Sequence, residues 1–405
     1  MKKVFGLYFL LLLNSYCFGD PPKGYYTSTG TITTTHFEIY WEKDYSDYDY
    51  STDTWIDKIK TYLEETWNFE TPYGNPPGTP ANKIRVDVYD HIRQEGSYAT
   101  TQWWYGNFPV INLDNDYIGT QYGTPDDALK MIIAHEFFHC VQQKYDTVSS
   151  YIGDWIHEGT ARWMSDEMSN NKNWGLNAYL LLNNGAELFF ANPSTSLDQQ
   201  NPYSTEIFWL YLAEQKGSSI IKTVWDKFQS NWQTDILKSI GQALGDADFG
   251  DNFKTLFKNF SLACYMKDDA THGFTDDGAS QLPDVAQISP TDDTDDYYID
   301  TFDEATGKIA PKERTLNHLA ANYVPISKPA TLTEKTTIYI FADGVTDADW
   351  GFWVVKVLND GTKQPEEIIL DGTTFEGNKI YGNFDGSELT DIKDSFNTQP
   401  TEKSR

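Results

Sequence analysis

The chain has 405 residues, which is too long for one ordinary hydrophobic core, so two domains are expected. Its 60 acidic and 31 basic residues give a formal net charge of −29, which argues against binding to nucleic acid or to an anionic membrane, because phosphate contacts need clustered lysine and arginine. Aromatic residues make up 15% of the chain, and we expect them in dense cores, with a glycan-stacking surface as the alternative.

Residues 1–19 have the pattern of a secretory signal peptide. Two lysines precede a short apolar run over 4–13, and small residues at the end of the segment predict cleavage after Gly19. The run is too short for a stable membrane anchor, and no later segment is long enough to be one. A lipid anchor on Cys17 is a weaker alternative, because a bulky tyrosine precedes it. We therefore expect an exported protein without a stable membrane anchor.

The next part of the chain predicts strands and one amphipathic helix. Alternating β-branched and aromatic residues are typical of strands, and apolar residues at helical spacing are typical of a helix. The predicted strands are 31–41, 83–89 and 109–113, and the predicted helix is 53–67.

A stronger helix is predicted to begin after Thr124. Threonine is a favourable cap, Pro125 suits the first helical position, and two aspartates follow in the first turn. A second helix is predicted over 154–168, and helical patterns continue to about 266. The expected core positions of this part are Phe208, Leu212, Ile220, Trp225, Ile236, Leu244, Phe253 and Leu256.

The composition changes near residue 289. Residues 291–312 are rich in acids and poor in apolar side chains, which indicates a linker or an exposed acidic loop. Beyond it, segments with a period of two are separated by Asp-Gly turns, which predicts an all-β, sandwich-like domain over 313–405. The order of strands, helices and then strands indicates an α+β domain over 20–290, followed by this β domain.

Two cysteines, Cys140 and Cys264, follow the predicted signal peptide. In an oxidising compartment they are candidates for one disulfide, and two buried free thiols are an equally good interpretation. The paired Cys-x-x-Cys spacing of a structural zinc site is absent from the sequence.

The segment His135-Glu136-Phe137-Phe138-His139 lies inside the strongest predicted helix. Residues four apart project to the same side of a helix, so two imidazoles so placed can bind one zinc ion. Glu136 follows the first histidine, beside the metal, where it can accept a proton from bound water. The segment therefore predicts a zinc site with its general base.

Glu158 is the candidate third ligand, 19 positions after His139 (158 minus 139). A catalytic zinc site needs three protein ligands and one open position. Glu158 lies in a predicted helix, and three small residues follow it, which would let two helices approach closely beneath the metal. These are Gly159, Thr160 and Ala161.

The H-E-x-x-H motif with a glutamate after 18 further residues resembles the gluzincin metallopeptidases. W-I-H-E-G-T-A is similar to a W-L-N-E-G-F-A stretch of their aminopeptidase branch, and HEFFHCVQQKYD with WIHEGTARWM resembles secreted bacterial metallopeptidases. The resemblance covers about 124–215. It implies a zincin-like domain over 20–290 and an exported hydrolase of peptide bonds, with His135, His139 and Glu158 as zinc ligands and Glu136 as base.

The sequence departs from that family in two places. In the thermolysin branch an aspartate that supports a metal ligand lies four positions after the ligand glutamate, and here the residue is Arg162. The G-x-M-E-N segment of the aminopeptidase branch is missing. The second departure favours an endopeptidase, or restricted processing, over an aminopeptidase.

Three more residues are candidates for supporting roles. In gluzincins a downstream tyrosine or histidine stabilises the oxyanion, and Tyr203 is our candidate, with an ordinary packed tyrosine as the alternative. His157 is adjacent to a ligand but points elsewhere, which favours a structural or supporting role. Gln142 shares a helix face with His139, where it either orients that ligand or is solvated.

Two further expectations concern the substrate and a second metal. In zincin folds an edge strand pairs with the extended substrate, and the strand over 109–113 is the candidate. The acidic linker and the Asp-Gly turns suggest calcium, whose ligands are carboxylate and carbonyl oxygens, although the sequence contains no EF-hand loop.

The main alternative function is a secreted binding or adhesion protein with a non-catalytic zincin-like domain. The aromatic surplus and the predicted β domain would serve that role. A glycosidase is less favoured because no pair of carboxylates stands out by position, and a serine hydrolase lacks its G-x-S-x-G motif. Bound zinc and cleavage of a protein substrate separate these alternatives.

Overall fold

The computed structural model describes most of the chain, and the predicted signal peptide and acidic linker lie outside the described residues. The described residues are 30–41, 53–77, 82–90, 97–104, 108–117, 123–145, 154–172, 174, 185–231, 235–247, 250–276, 278–287, 319–327, 336–343, 348–358, 360–368, 376–384 and 389–400.

Five strands near the N-terminus form one mixed sheet. They are β1 (Gly30–Thr33), β2 (Phe37–Trp41), β3 (Ile84–Tyr89), β4 (Ala99–Trp104) and β5 (Phe108–Asp114). Their order is β1-β2-β3-β5-β4; β2, β3 and β5 run parallel, and β4 is antiparallel to β5 at the edge. The prediction that 109–113 is an edge strand is therefore wrong. Strand β4, which the sequence analysis missed, covers the outer side of β5.

Eight helices are described in the first 290 residues. They are α1 (Asp53–Glu70), α2 (Pro125–Gln142), α3 (Asp154–Lys172), α4 (Gly185–Ala191), α5 (Glu206–Lys216), α6 (Ser219–Ser230), α7 (Ile236–Ala243) and α8 (Asp251–Met266). None of the described helices is both long enough and apolar enough to cross a membrane. With the mixed sheet, they make the fold α+β, as predicted.

Helix α2 begins where the sequence predicts. Thr124 accepts a hydrogen bond from the backbone N–H of Asp127, whose side chain in turn accepts one from the backbone N–H of Thr124. Pro125 occupies the first turn. Thirteen of the 18 side chains of α2 are buried, and Phe137 lies against Phe37 of the sheet. The helix is therefore a central element of the core, and its polar residues are held inside the protein.

Aromatic side chains fill the helical core. The Phe208 ring on α5 contacts the rings of Trp155, Trp209, Phe253 and Phe260. Of the predicted core positions, Ile236 and Leu244 are half-buried and the others are buried. Among the aromatic side chains whose burial the structure describes, none is largely exposed, which supports dense cores rather than a stacking surface in this part of the chain.

The C-terminal strands form two sheets. These strands are β6 (Ala320–Ser327), β7 (Thr336–Asp343), β8 (Ala348–Leu358), β9 (Lys363–Ile368), β10 (Glu376–Phe384) and β11 (Leu389–Pro400). One sheet has the order β6-β11-β8-β9 and the other pairs β10 with β7, all antiparallel. Tyr323 donates a hydrogen bond to the carbonyl of Ser261 on α8, and its ring stacks on Tyr265. Helix α8 thus contacts both parts of the chain.

Cys140 on α2 and Cys264 on α8 are buried free thiols. Of the two interpretations that the sequence left open, the structure supports free thiols.

Glu70, at the end of α1, is fully buried, and neither carboxylate oxygen has a hydrogen-bond partner among the described residues. Burial raises the pKa of this carboxyl well above its usual value, because the charged form loses its hydration. Glu70 therefore keeps its proton in the folded state at pH values where the unfolded chain releases it.

We expect Glu70→Gln to stabilise the protein increasingly as pH rises. A folded pKa above the unfolded value of about 4.3 means that the parent loses about 1.4 kcal/mol of stability per pH unit above that value, until the folded pKa is reached. Glutamine does not titrate and escapes this loss. Chemical denaturation at pH 4.5 and 7.5 measures the effect, with Glu65→Gln on the same helix as control. A pH dependence equal to that of the control would contradict the interpretation.

Candidate metal centre

Two imidazoles face each other on α2. His135 and His139 are four residues apart, and their Nε2 atoms lie 3.1 Å from each other. The rings are perpendicular, with centroids 4.7 Å apart. This is the arrangement that the helical spacing predicts.

Glu158 on α3 completes a group of three. Its Oε2 atom lies 3.1 Å from Nε2 of His135 and 3.6 Å from Nε2 of His139. Three ligands of a tetrahedral zinc ion, at about 2.0–2.1 Å from the metal, lie about 3.3 Å from one another. The three observed separations fit that value, and two nitrogens with one carboxylate oxygen form a donor set that zinc accepts.

Small residues bring α3 into this position, as predicted. A β-carbon on Gly159 would overlap Oγ1 of Thr205 and the ring of Trp209, so only glycine allows α3 to lie this close to the start of α5. Oγ1 of Thr205 also donates a hydrogen bond of 2.6 Å to the carbonyl of Trp155. Thr160, on another face of α3, contacts α2 through Gln142.

Gln142 is buried and orients His139. Its Oε1 lies 2.7 Å from Nδ1 of His139, and its Nε2 donates to the carbonyl of His157 at 2.8 Å and to Oγ1 of Thr160 at 2.9 Å. A carbonyl oxygen only accepts, so Nδ1 of His139 carries a proton, and Nε2 is the nitrogen that can bind a metal at the centre. The alternative of a solvated Gln142 is wrong, because α3 covers it.

His157 supports this arrangement from outside the metal group. Its Nδ1 atom lies 3.2 Å from Oε1 of Gln142, and its ring contacts Trp225 edge-on. The structure thus gives His157 the supporting position that the sequence favoured.

The carboxylates of the site stabilise a positive charge on the neighbouring imidazole of His139. Burial acts to lower the pKa of His139, but the negative charges of Glu158 and Glu136 outweigh it and raise the pKa to about 9. Burial acts to raise the pKa of Glu158, yet the charge of His139 and the hydrogen bonds of both imidazoles hold this pKa well below its usual range. A cation bound here replaces the proton of His139, because a ligating imidazole nitrogen must be unprotonated.

Glu136 is buried beside the metal group but is not part of it. Its Oε2 accepts a hydrogen bond of 2.7 Å from Oγ1 of Thr101 on β4. Thr101 was not among the residues predicted for the site, because strand β4 was not predicted from the sequence. The β-branched pair at 100–101 before two tryptophans was the local signal for a strand.

Tyr203 lies next to the metal group, in a short 3₁₀ turn (Pro202–Ser204) before α5. Its half-buried ring stacks on His135, with centroids 6.2 Å apart. The structure therefore brings the predicted oxyanion residue to the centre.

Arg162 does not support a metal ligand. Its Nε donates a hydrogen bond of 2.6 Å to Oε2 of Glu206, and both side chains are 1% exposed. Its guanidinium lies 5.8 Å from the centre of the Tyr203 ring. Nδ1 of His135 is buried and has no hydrogen-bond partner among the described residues. The departure from the thermolysin pattern at this position is therefore a real difference in the surroundings of the site.

Among the described residues, the three side chains of His135, His139 and Glu158 form the grouping that can hold one metal ion. The acidic linker that suggested calcium lies outside the described residues, so calcium stays a prediction. The chain matches no protein-family model and no curated protein sequence.

We expect Gln142→Leu to weaken zinc binding by about 10–100-fold, because His139 loses the acceptor that fixes its orientation. Competition with a zinc-binding dye measures the affinity. Gln143→Leu is the matched control, since Gln143 is also buried and only its backbone N–H, which the substitution keeps, bonds to His139 among the described contacts. Equal losses in the two variants would contradict an orienting role for Gln142.

We expect Arg162→Met to lower the free energy of unfolding by about 3–5 kcal/mol, because Glu206 is left buried without its cation. The double variant Arg162→Met/Glu206→Leu should regain most of that loss. Denaturant titration of the three proteins is the measurement. A double variant as unstable as the single one would show that the guanidinium acts through other contacts.

Proposed function

We propose that this chain is a secreted zinc metallopeptidase of the gluzincin type that cleaves internal peptide bonds. The observation that carries the proposal is the triangle of ligand atoms from His135, His139 and Glu158, with sides of 3.1, 3.1 and 3.6 Å, beside a buried glutamate that is not a ligand. Zinc is the metal that best suits two imidazoles and one carboxylate around an open position.

The residues of the site divide the work of hydrolysis. His135, His139 and Glu158 would hold the zinc ion, which would supply Lewis acidity to the scissile carbonyl and to the attacking water. Glu136 accepts the proton of the attacking water and returns it to the leaving amine. Tyr203, stacked on His135, donates a hydrogen bond to the carbonyl oxygen as negative charge develops there.

Strand β4 is our candidate for the substrate-binding edge, in place of 109–113. An extended peptide adds to a sheet through the free N–H and C=O groups of an edge strand, and β5 is paired on both sides. Strand β4 also contacts Glu136 through Thr101. A peptide paired with β4 would therefore run past the general base.

The domain organisation and location belong to the same proposal. We assign 20–290 to a zincin-like catalytic domain and 313–405 to an accessory β domain, because α2 and α3 supply all three proposed ligands. The signal-peptide pattern of 1–19 supports export. The alternative is a binding or adhesion protein whose zincin-like domain is not catalytic.

Two glutamate variants test the proposal, because the two substitutions should have different effects on zinc binding and turnover. Glu136→Gln removes the base but keeps three ligands, so the protein should hold zinc and lose nearly all turnover. Glu158→Ala leaves two imidazoles, so zinc affinity should fall by orders of magnitude and the melting temperature should drop below that of Glu136→Gln.

Metal content after dialysis, thermal melting and digestion of peptides blocked at both ends are the measurements. Blocked peptides separate an endopeptidase from an exopeptidase, and Glu65→Gln is the control for a surface substitution. Tight stoichiometric zinc in Glu158→Ala would refute the ligand set. A parent protein that binds zinc but cleaves no peptide would favour the binding-protein alternative.

A further inference from the structure

One threonine joins the outermost strand of the sheet to the proposed general base. Oγ1 of Thr101 lies 2.7 Å from Oε2 of Glu136 and 2.8 Å from the backbone carbonyl oxygen of the same residue. Thr101 is on β4, paired with Ile111 of β5, and Glu136 is in the middle of α2. The contact therefore connects the edge of the sheet to the helix that holds the metal group.

The hydroxyl has one hydrogen for two acceptors, and the carboxylate is the stronger of the two. The carbonyl of Glu136 already accepts the helical N–H four residues on, and the thiol of Cys140 lies 3.6 Å from it. Hydrogen bonds to an ionised acceptor are shorter and about twice as strong as bonds between neutral groups. The shorter of the two distances, 2.7 Å, is also the one to the carboxylate.

We propose that Thr101 is a positioning residue for Glu136. Its O–H donates a hydrogen bond to Oε2, so the carboxylate cannot rotate freely. Oε1 then remains available to accept the proton of the attacking water. Among the described residues, no protein hydrogen bond reaches Oε1. This proposal rests on the proposed function, because it assigns a geometry to the base of that reaction.

The same contact ties the base to the proposed substrate-binding strand. A peptide paired with β4 is aligned by the backbone of the strand that also carries Thr101. Substrate and base are then positioned by one element, and small errors in such alignment reduce rates by large factors. Thr101 is thus a direct contact between the edge strand and the carboxylate of the proposed base.

Kinetics of three single variants test the proposal. We expect Thr101→Val to lower kcat at least about tenfold, to leave KM within about threefold and to leave zinc content unchanged. Thr101→Ser, which keeps the hydroxyl, should recover kcat to within about threefold. Thr66→Val is the matched control, because Thr66 is a buried threonine of α1 whose hydroxyl contacts the sulfur of Met168, away from the site, and the variant should keep kcat.

A double-mutant cycle on stability provides a readout that does not need turnover. Thr101→Val should change the unfolding equilibrium constant of the metal-stripped full chain at least about fivefold more in the parent than in a Glu136→Ala background. A parent that neither binds zinc nor cleaves peptides overturns the proposed function. An active parent whose Thr101→Val variant keeps kcat, or a cycle that is additive, overturns the assignment of Thr101 alone.

Discussion

The close approach of α2 and α3 is the constraint on which the candidate site depends. Three ligand atoms lie within 3.6 Å of one another only if two helix backbones come near enough for one carboxylate to reach two imidazoles. The buried amide of Gln142 bonds across the same interface to the carbonyl of His157 and the hydroxyl of Thr160. Gly159 allows another face of α3 to pack closely against α5. The polar cluster is therefore assembled by helix contacts, and its geometry is as rigid as the core.

Several polar groups inside α2 are tolerated because each has a hydrogen-bond partner, either on another element or on α2 itself. The carboxylate of Glu136 is bonded from the sheet by Thr101, and His139 is bonded from its own helix by Gln142. Burying a polar group without a partner is unfavourable, so such pairings restrict which elements can surround the helix. Glu70 shows the opposite case among the described residues, a buried acid that lacks a partner.

The features that follow from local sequence were predictable. The start of α2, the two histidines on one face and the small residues after Glu158 depend on spacing and side-chain size alone, and the structure agrees with each. The features that depend on pairing across the chain were not predictable. The residues over 109–113 predict a strand, but they do not show that β4 pairs with its outer side, so the position of β5 inside the sheet was hidden. The partner of Arg162 was equally hidden, because Glu206 lies 44 positions away in sequence.

The free thiols of Cys140 and Cys264 have a consequence for how the chain matures. Burial raises the pKa of both thiols, so they stay protonated and react slowly with oxidants. The described fold is held together by noncovalent side-chain contacts, without a disulfide between these two residues. Folding to this structure then needs no thiol oxidase or disulfide isomerase. It also avoids thiol–disulfide exchange steps, which take seconds to hours. The described part of the chain therefore keeps its structure whether the surroundings are reducing or oxidising.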